Sequence, residues 1–296
     1  MRLCLLGDPS GWHLRRLSRA AAAAGHEHAV VPWRAMTAAL GGADALAAVA
    51  PPERFGPAAL ADADAVIVRT MPAGSLDEVI VRMDMLGRLA AAGVRVVNPP
   101  RALEAAIDKY LSLARLAAAG IPVPRTIVVQ HAAALRGAWE ALGGDVVSKP
   151  LFGSRGRGIE RLDSPAHLAA AAERLAAGGI AYLQEFIPHA GWDARILVVG
   201  QRVFSMRRVA TDDWRLNLAR GARPEPFTPP ADWVDLARRA AATLGADVAG
   251  VDLLPHRGGG AVVVEVNGVP GWRGLQTVCD TDVADAVIAY VAGRAR

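Results

Sequence analysis

The sequence is poor in lysine. Of its 33 basic residues only two, Lys109 and Lys149, are lysines, and all the others are arginines. An arginine cannot replace a lysine where a compact ammonium group with three free donors must fit. We therefore expect the two lysines to mark positions that need the ammonium group itself. The alternative is that both have persisted by chance.

Cysteines and long apolar runs are also scarce. Cys4 and Cys279 lie far apart and match no metal-binding spacing, which indicates buried thiols in a reducing compartment. The apolar run at residues 3–6 is too short for a signal peptide, and no other run could span a bilayer. No run of basic residues is longer than two, which argues against a nucleic-acid-binding arm. We expect a cytoplasmic protein that binds neither membranes nor nucleic acid.

The overall composition indicates a globular chain. Its 296 residues are 52% hydrophobic and 21% charged, and only 5% are aromatic. This length allows two or three domains, each with a core of its own. The net charge of +4 suits an anionic ligand such as a nucleotide, although arginine-rich proteins often carry a modest positive charge.

The chain divides into three segments. Apolar strand-like runs alternate with helical patterns up to Asn98-Pro99-Pro100, which is typical of a doubly wound parallel sheet. The two prolines stop either kind of element. We predict an α/β domain at residues 1–98, followed by an α+β part in two lobes. The lobe at residues 99–179 carries a glycine loop, and the lobe at residues 180–296 carries a metal site.

A glycine-rich segment follows the second lysine. Lys149 ends an apolar run, and Gly153, Gly156 and Gly158 come shortly after it. An ammonium group beside exposed backbone amides suits a polyphosphate. The glycine spacing matches neither the dinucleotide fingerprint nor the phosphate-binding loop motif. The segment by itself is therefore also compatible with an ordinary hairpin turn.

Two strand-like runs near the end of the chain flank a turn rich in glycine. If the reversal centres on Gly258-Gly259, Asp252 lies opposite Glu265, and Asn267 shares the face of Glu265. Two carboxylates and one amide oxygen are the hard ligands that Mg²⁺ prefers. The pattern therefore predicts a magnesium site, with a solvated strand face as the alternative.

Charged residues cluster between these two regions. Residues 183–188 end a strand at a proline, and Asp193 and Arg195 then share one face of the next strand. Further cations and an amide follow, at Arg207, Arg208, Arg215 and Asn217. This cluster can line a site for an anion or can form an ordinary basic, solvated edge.

In this order the motifs resemble the ATP-grasp superfamily, and within it the RimK-like carboxylate–amine ligases, which attach glutamate to proteins or to cofactors. The resemblance runs from about Asn98 to Gln276 and implies a pre-ATP-grasp domain before a two-lobed ATP-grasp domain. It is carried by Asp108-Lys109, residues 120–126, residues 149–154, residues 184–187, residues 193–195, residues 215–217, residues 250–252 and residues 265–267.

The resemblance assigns a role to each of these positions. ATP is expected to bind through the lysines, the loop, the adenine hinge and nearby polar residues: Lys109, Lys149, Gly153, Ser154, Gly156, Gly158, Gln184, Glu185, Phe186, Ile187, Asp193, Arg215 and Asn217. Asp252, Glu265 and Asn267 match the Mg²⁺ ligands, for which two ions are expected and Mn²⁺ can substitute. Arg195 and Arg208 are the candidates for gripping a carboxylate or an oxyanion.

The function implied is an ATP-dependent ligase that works through an acyl phosphate and joins glutamate to a small anionic acceptor. A small-molecule kinase and a non-catalytic nucleotide-binding module are the alternatives, and a homo-oligomer is compatible with each. Trp192, Trp214 and Trp272 stand next to motif residues, which predicts an aromatic acceptor mouth or, equally, packing between domains. Substitution of the metal ligands is expected to leave the fold intact.

Overall fold

A computed structural model describes residues 1–38, 60, 62–153, 156–210, 212–256 and 259–293. Within these residues the strands form three sheets, and helices pack against each of them. No helix in the described part of the chain combines the length and the apolar character needed to cross a membrane.

The first sheet is parallel, as predicted. Its strand order is β2-β1-β3-β4, and a hydrophobic core that includes the buried Leu5, Leu17 and Ile67 lies against it. The elements of this part are β1 (Arg2–Leu6), α1 (Trp12–Ala23), β2 (Glu27–Val31), β3 (Ala65–Val68), α2 (Leu76–Ala91) and β4 (Arg95–Val97), with a 3₁₀ turn at Trp33–Ala35.

The second sheet is antiparallel, with strand order β5-β8-β6-β7. Its elements are β5 (Thr126–Val129), α5 (Ala132–Ala141), β6 (Val146–Lys149), β7 (Glu160–Leu162), α6 (Pro165–Ala176) and β8 (Ala181–Glu185). The division into three domains stays a prediction, but β8 differs from it. The boundary at residue 180 assigned this strand to the last lobe, whereas its hydrogen bonds join it to β5 and β6.

The third sheet is also antiparallel, in the order β11-β10-β9-β12-β13. It contains β9 (Trp192–Val199), β10 (Arg202–Val209), β11 (Arg223–Pro226), β12 (Val248–Pro255) and β13 (Ala261–Asn267), with α7 (Ala231–Thr243) packed on it and 3₁₀ turns at Leu218–Arg220 and Leu275–Thr277. The last helix, α8 (Val283–Gly293), returns to the start of the chain and packs against α1.

A helix boundary falls directly before the first lysine. The sequence predicts one helix over residues 101–119, but the structure has two, α3 (Pro100–Ile107) and α4 (Lys109–Ala118). Asp108 adopts an extended backbone between them, and its carboxylate accepts hydrogen bonds from the amides of Tyr110 and Leu111 at 2.8 and 3.0 Å. This cap favours a new helix start over a continuous helix.

Substitution of the capping residue tests this account. Asp108→Ala removes the acceptor for two helix amides, so we expect the free energy of unfolding to fall by about 1 kcal/mol. Asp108→Asn is the control, because an asparagine can still cap. Equal urea midpoints for Asp108→Ala and the wild-type protein would contradict this role.

Candidate active site

The β12–β13 hairpin brings the predicted acidic residues together. Asp252 pairs directly with Glu265, and Gly250 pairs with Asn267, which confirms the predicted register. The pairing then shifts by one residue, because Leu253 pairs with Val263. Val264 is therefore the extra residue of a β-bulge, a feature that often re-aims side chains next to active sites.

Asp252 belongs to a buried cluster of ion pairs. Nε and Nη2 of Arg195 each donate to one oxygen of its carboxylate at 2.6 Å. Nη2 of Arg208 lies 3.0 Å from the same carboxylate, and Nε of Arg208 donates to Asp193 at 2.7 Å. The side chains of Asp193, Arg208 and Asp252 are at most 5% exposed. The two arginines thus face carboxylates of the chain itself.

The charges in this cluster support one another. Burial raises the pKa of Asp252, but Arg195 and Arg208 outweigh it and hold that pKa below its usual range. Burial likewise lowers the pKa of Arg208, and the carboxylates of Asp252 and Asp193 raise it on balance. Arg208 and Asp252 are therefore charged at neutral pH.

The three candidate metal ligands have suitable oxygen atoms, but their hydrogen-bond partners differ. Across the described residues there is no group of three histidine, cysteine, aspartate or glutamate side chains that could bind a metal ion. The Nδ2 group of Asn267 donates to the carbonyl of Gly250 at 3.3 Å, which leaves Oδ1 as an acceptor. Oδ1 of Asp252 accepts from Arg195 alone and retains a second lone pair, whereas Oδ2 faces both Arg195 and Arg208. Two carboxylates and an amide oxygen therefore fit Mg²⁺. The carboxylate of Asp252 would then contact the ion and arginine at the same time.

A cavity of about 680 Å³ lies between the second and third sheets. It is lined by Lys149, the segment 184–187, Asp193, Arg208, Arg215, Asn217, Asp252 and Glu265, among others. A smaller space of about 400 Å³ shares Lys149, Asn217 and Glu265 with it and adds Lys109, Gly153 and Gly156. The structure therefore brings together most of the predicted site residues. Asn267 and Gly158 line neither space, and Arg195 reaches the site through Asp252.

The two lysines both lie at this site. Nζ of Lys109 donates to the carbonyls of Leu151 and Gly153 at 3.3 and 3.0 Å. Nζ of Lys149 donates to Oε1 of Gln184 at 2.6 Å. Burial lowers the pKa of Lys149 to about 8, and Lys109 contributes in the same direction, while Glu265 opposes both. Lys149 therefore keeps most of its charge at neutral pH.

The predicted hinge lines the cavity. The carboxylate of Glu185 turns to Arg125 and accepts from its amide and from Nε at 2.8 and 2.7 Å. The amide of Phe186 donates to the carbonyl of Asp145 at 3.0 Å. The amide of Ile187 has no hydrogen-bond partner in the part of the chain that the structure describes. A backbone donor is thus free at the cavity wall.

Two loop glycines are required by their surroundings. Gly156 has a φ of +70°, and a Cβ atom there would collide with the side chain of Asn217. Gly158 has a φ of +68°, and its Cβ would lie 2.8 Å from Cγ of Pro150. Only glycine adopts this conformation without cost. Ser154 lies outside the described residues.

Arg215 has an acidic partner next to the cavity. Its Nε donates to Asp213 at 2.9 Å, and its Nη1 reaches the carbonyl of Ile159 at 3.4 Å. Arg220 links the loop to the same segment, because its Nε donates to the carbonyl of Gly156 at 3.2 Å. The glycine loop is therefore tied at this point to the segment between β10 and β11.

The sequence did not reveal the apolar walls of the cavity. These are formed by Val147, Ile159, Leu216, Leu254 and Val264, and His189 lies near the hinge. Val264 lines the cavity beside Glu265 because the bulge breaks the alternation of faces. Leu254 could have been found from its i, i+2 spacing to Asp252.

The expected aromatic mouth does not form. Trp192 stacks on Trp233 at 6.2 Å in a hydrophobic core, and Trp272 is 1% exposed in another. Only Trp214 of the three lines the cavity, in contact with Phe186. The other two fill space between elements, so the prediction of three ring-stacking tryptophans at one entrance is wrong.

Comparison with known proteins places this geometry in a family. The family model described as the RimK-like ATP-grasp domain matches residues 106–291. The chain belongs to the RimK-like ATP-grasp family. It is an ATP-grasp ligase that forms C–N bonds, in agreement with the resemblance carried by its motifs.

Relatives match over nearly the whole chain. The tetrahydromethanopterin:alpha-L-glutamate ligase of Methanosarcina acetivorans is 31% identical over 96% of this chain and 96% of its own. A probable alpha-L-glutamate ligase of Mannheimia succiniciproducens is 33% identical over 98% of this chain and 97% of its own. The ATP-grasp ligase PsnB, solved with minimal precursor, Mg and ADP, has a TM-score of 0.77 and 25% identity over 99% of this chain and 97% of its own. A RimK domain protein of Sphaerobacter thermophilus has a TM-score of 0.75 and 27% identity over 98% and 99% of the two chains.

The ion-pair cluster changes the expectation that metal-ligand substitutions leave the fold intact. Asp252→Asn removes a carboxylate that two buried arginines share, so we expect a loss of about 3 kcal/mol or more in the free energy of unfolding. Glu265→Gln is the matched control, because Glu265 forms no ion pair within the described residues, and its loss should stay below about 1 kcal/mol. Urea unfolding of both variants measures the difference. Equal losses would mean that the cluster does not support the fold.

Proposed function

We propose that the cavity between the second and third sheets binds ATP with Mg²⁺ and that the chain joins glutamate to a small anionic carboxylate. The observation that carries the proposal is the arrangement of charge around one space. Lys149 approaches from the second sheet, Glu265 and Asp252 approach from the third, and the free amide of Ile187 lies at the same wall.

Each part of ATP has a matching set of groups. The apolar walls and the backbone at residues 185–187 suit a purine, which offers flat apolar faces and a polar edge. Lys109, Lys149 and the amides of the glycine loop suit the phosphates. Asp252, Glu265 and Asn267 would hold Mg²⁺, which when bound neutralises phosphate charge.

The proposed reaction has two steps. An oxygen of the acceptor carboxylate attacks the γ-phosphorus, the bond to the bridging oxygen breaks, and ADP leaves. The amine of glutamate then attacks the carbonyl carbon of the acyl phosphate, inorganic phosphate leaves, and the amine loses one proton. Positioning and charge neutralisation can carry both steps without a protein nucleophile.

The ion pairs assign indirect roles to the two arginines first considered for substrate contact. Arg195 and Arg208 are held by Asp252 and Asp193, so we assign them to orienting Asp252 and to balancing its charge. The choice of glutamate is supported by the relatives, whose names include tetrahydromethanopterin:alpha-L-glutamate ligase and glutamate–LysW ligase. The acceptor is an anion because the group proposed to attack ATP is its carboxylate.

Product analysis tests the proposed function. We expect incubation with ATP, Mg²⁺, L-glutamate and a panel of small anionic carboxylates to release ADP and phosphate. Mass spectrometry should then find a product equal to one acceptor plus one glutamate minus one water. The Glu265→Gln variant and a reaction without glutamate are the controls. A phosphorylated acceptor that forms without glutamate would indicate a kinase, and ATP binding without turnover would indicate a binding module.

The pKa of Lys149 generates a separate prediction. Because burial lowers this pKa to about 8, the ammonium form is lost as the pH rises through that value. We therefore expect kcat/KM for ATP to decline above about pH 8. In Lys149→Arg the guanidinium stays charged, so this decline should disappear, while kcat/KM at pH 7 falls by about tenfold or more because the larger group fits the site poorly. A Lys149→Arg variant with the wild-type profile would contradict the role of the ammonium group.

A further inference from the structure

Arg69 is a buried cation for which the described residues supply no acidic partner. It follows β3 directly and is 4% exposed. Its Nη2 donates to the carbonyl of Pro270 at 2.8 Å, but its Nε is buried with no hydrogen-bond partner. No carboxylate of the described residues forms an ion pair with it, and burial lowers its pKa to about 9. A buried charge in this state costs stability unless something else balances it.

The groups around Arg69 are also donors. Its guanidinium carbon lies 4.3 Å from the ring centroid of Trp272, whose Nε1 is buried without a partner. The amide of Trp272 donates to Nε2 of His13 at 3.0 Å, which fixes the proton of a neutral imidazole on Nδ1. Burial, Arg69 and Arg273 lower the pKa of His13 to about 3, so the ring stays neutral. Unpartnered donors therefore gather at a place that offers them no anion.

The cluster lies where the first sheet meets the end of the β12–β13 hairpin. Gly7 follows β1 and Arg69 follows β3, and these two strands are neighbours at the centre of the sheet. From β1 the chain crosses over to β2 on one side, and from β3 it crosses over to β4 on the other. Ligands of open parallel sheets bind at the carboxyl ends of strands at such a point. Residues 268–272 connect Asn267 directly to Trp272, and the flanking Gly271 and Arg273 are exposed. The cluster thus reaches solvent a few residues beyond a proposed metal ligand along the chain.

We propose that Arg69, Arg273, His13 and the indole Nε1 of Trp272 form a binding site for a substrate carboxylate. The inference rests on the proposed function, since the ligase reaction needs two anionic substrates beside ATP. An anion here would supply the acceptor that the buried guanidinium lacks, through charge-assisted hydrogen bonds. The carboxylate belongs either to the incoming amino acid or to the acceptor.

The chain offers a matched control for Arg69. Arg16 also stacks on a tryptophan, with its guanidinium carbon 5.7 Å from the ring centroid of Trp12, but it forms an ion pair with Asp282. An arginine with a purely structural role should behave like Arg16. Arg16→Gln should lower the melting temperature, because it removes an ion pair with Asp282. Arg69→Gln should leave the melting temperature of the ligand-free protein unchanged or higher, because it removes an unbalanced buried charge.

Calorimetric titration and thermal shifts of the full chain test the site. With ADP and Mg²⁺ present, wild-type protein should be stabilised by L-glutamate or by glutarate, which has both carboxylates but no amine. Arg69→Gln and Arg273→Gln should each weaken that binding by about tenfold or more. Arg69→Lys should weaken it less than Arg69→Gln does. Arg16→Gln should not change it. If only the binding of L-glutamate depends on Arg69 and Arg273, the ligand is the amino-acid substrate. If only the binding of glutarate depends on them, the ligand is the acceptor.

Two results would overturn the site. One is binding of both probes by Arg69→Gln with wild-type affinity, and the other is the absence of any effect of either probe on wild-type protein. The stabilisation by ADP and Mg²⁺ is read in the same experiments and does not involve Arg69. If ADP and Mg²⁺ do not stabilise the protein, the result counts against the proposed nucleotide site. Failure of the nucleotide site can therefore be distinguished from failure of the carboxylate site.

Discussion

The site depends on the buried ion pairs that join three neighbouring strands of the third sheet. Arg208 on β10 lies across from Asp193 on β9, and Arg195 on β9 lies across from Asp252 on β12. A slip of one residue between any two of these strands would move a charge to the opposite face and leave its partner unpaired. Since Glu265 is the next cross-strand neighbour of Asp252, the position of both carboxylates follows from this arrangement.

Charge around the cavity is divided between two sheets. Lys149 ends β6 of the second sheet, and Lys109 begins α4 and donates to the loop that follows β6, whereas Asp252 and Glu265 belong to the third sheet. Burial disfavours the charge on Lys149, and Glu265 partly restores it from the other side. A bound triphosphate with its cation would satisfy both sets of charges together, which explains why neither sheet could form this site alone.

Local patterns in the sequence were enough to predict the parallel sheet and the pairing of Asp252 with Glu265, because a short turn sets the register of a hairpin. Contacts between residues far apart in the chain were harder to predict. Arg195 and Asp252 are 57 positions apart, so no spacing indicated that the carboxylate would neutralise an arginine considered free for substrate. For the same reason, the sequence did not indicate that β8 pairs with β5 and β6, which lie in an earlier part of the chain. Asp108, by contrast, stands at a typical helix N-cap, and its capping role could have been recognised.

The two lysines line one space, and the sequence contains no other lysine. Both lysine amines of this sequence therefore lie at the proposed phosphate site. An acylating reagent specific for amines, which labels the side chains of most proteins at many positions, would here label lysine side chains only at this site. Because burial lowers the pKa of Lys149 to about 8, more of its amine is unprotonated near neutral pH than in an ordinary lysine, and bound ligand would protect it from the reagent.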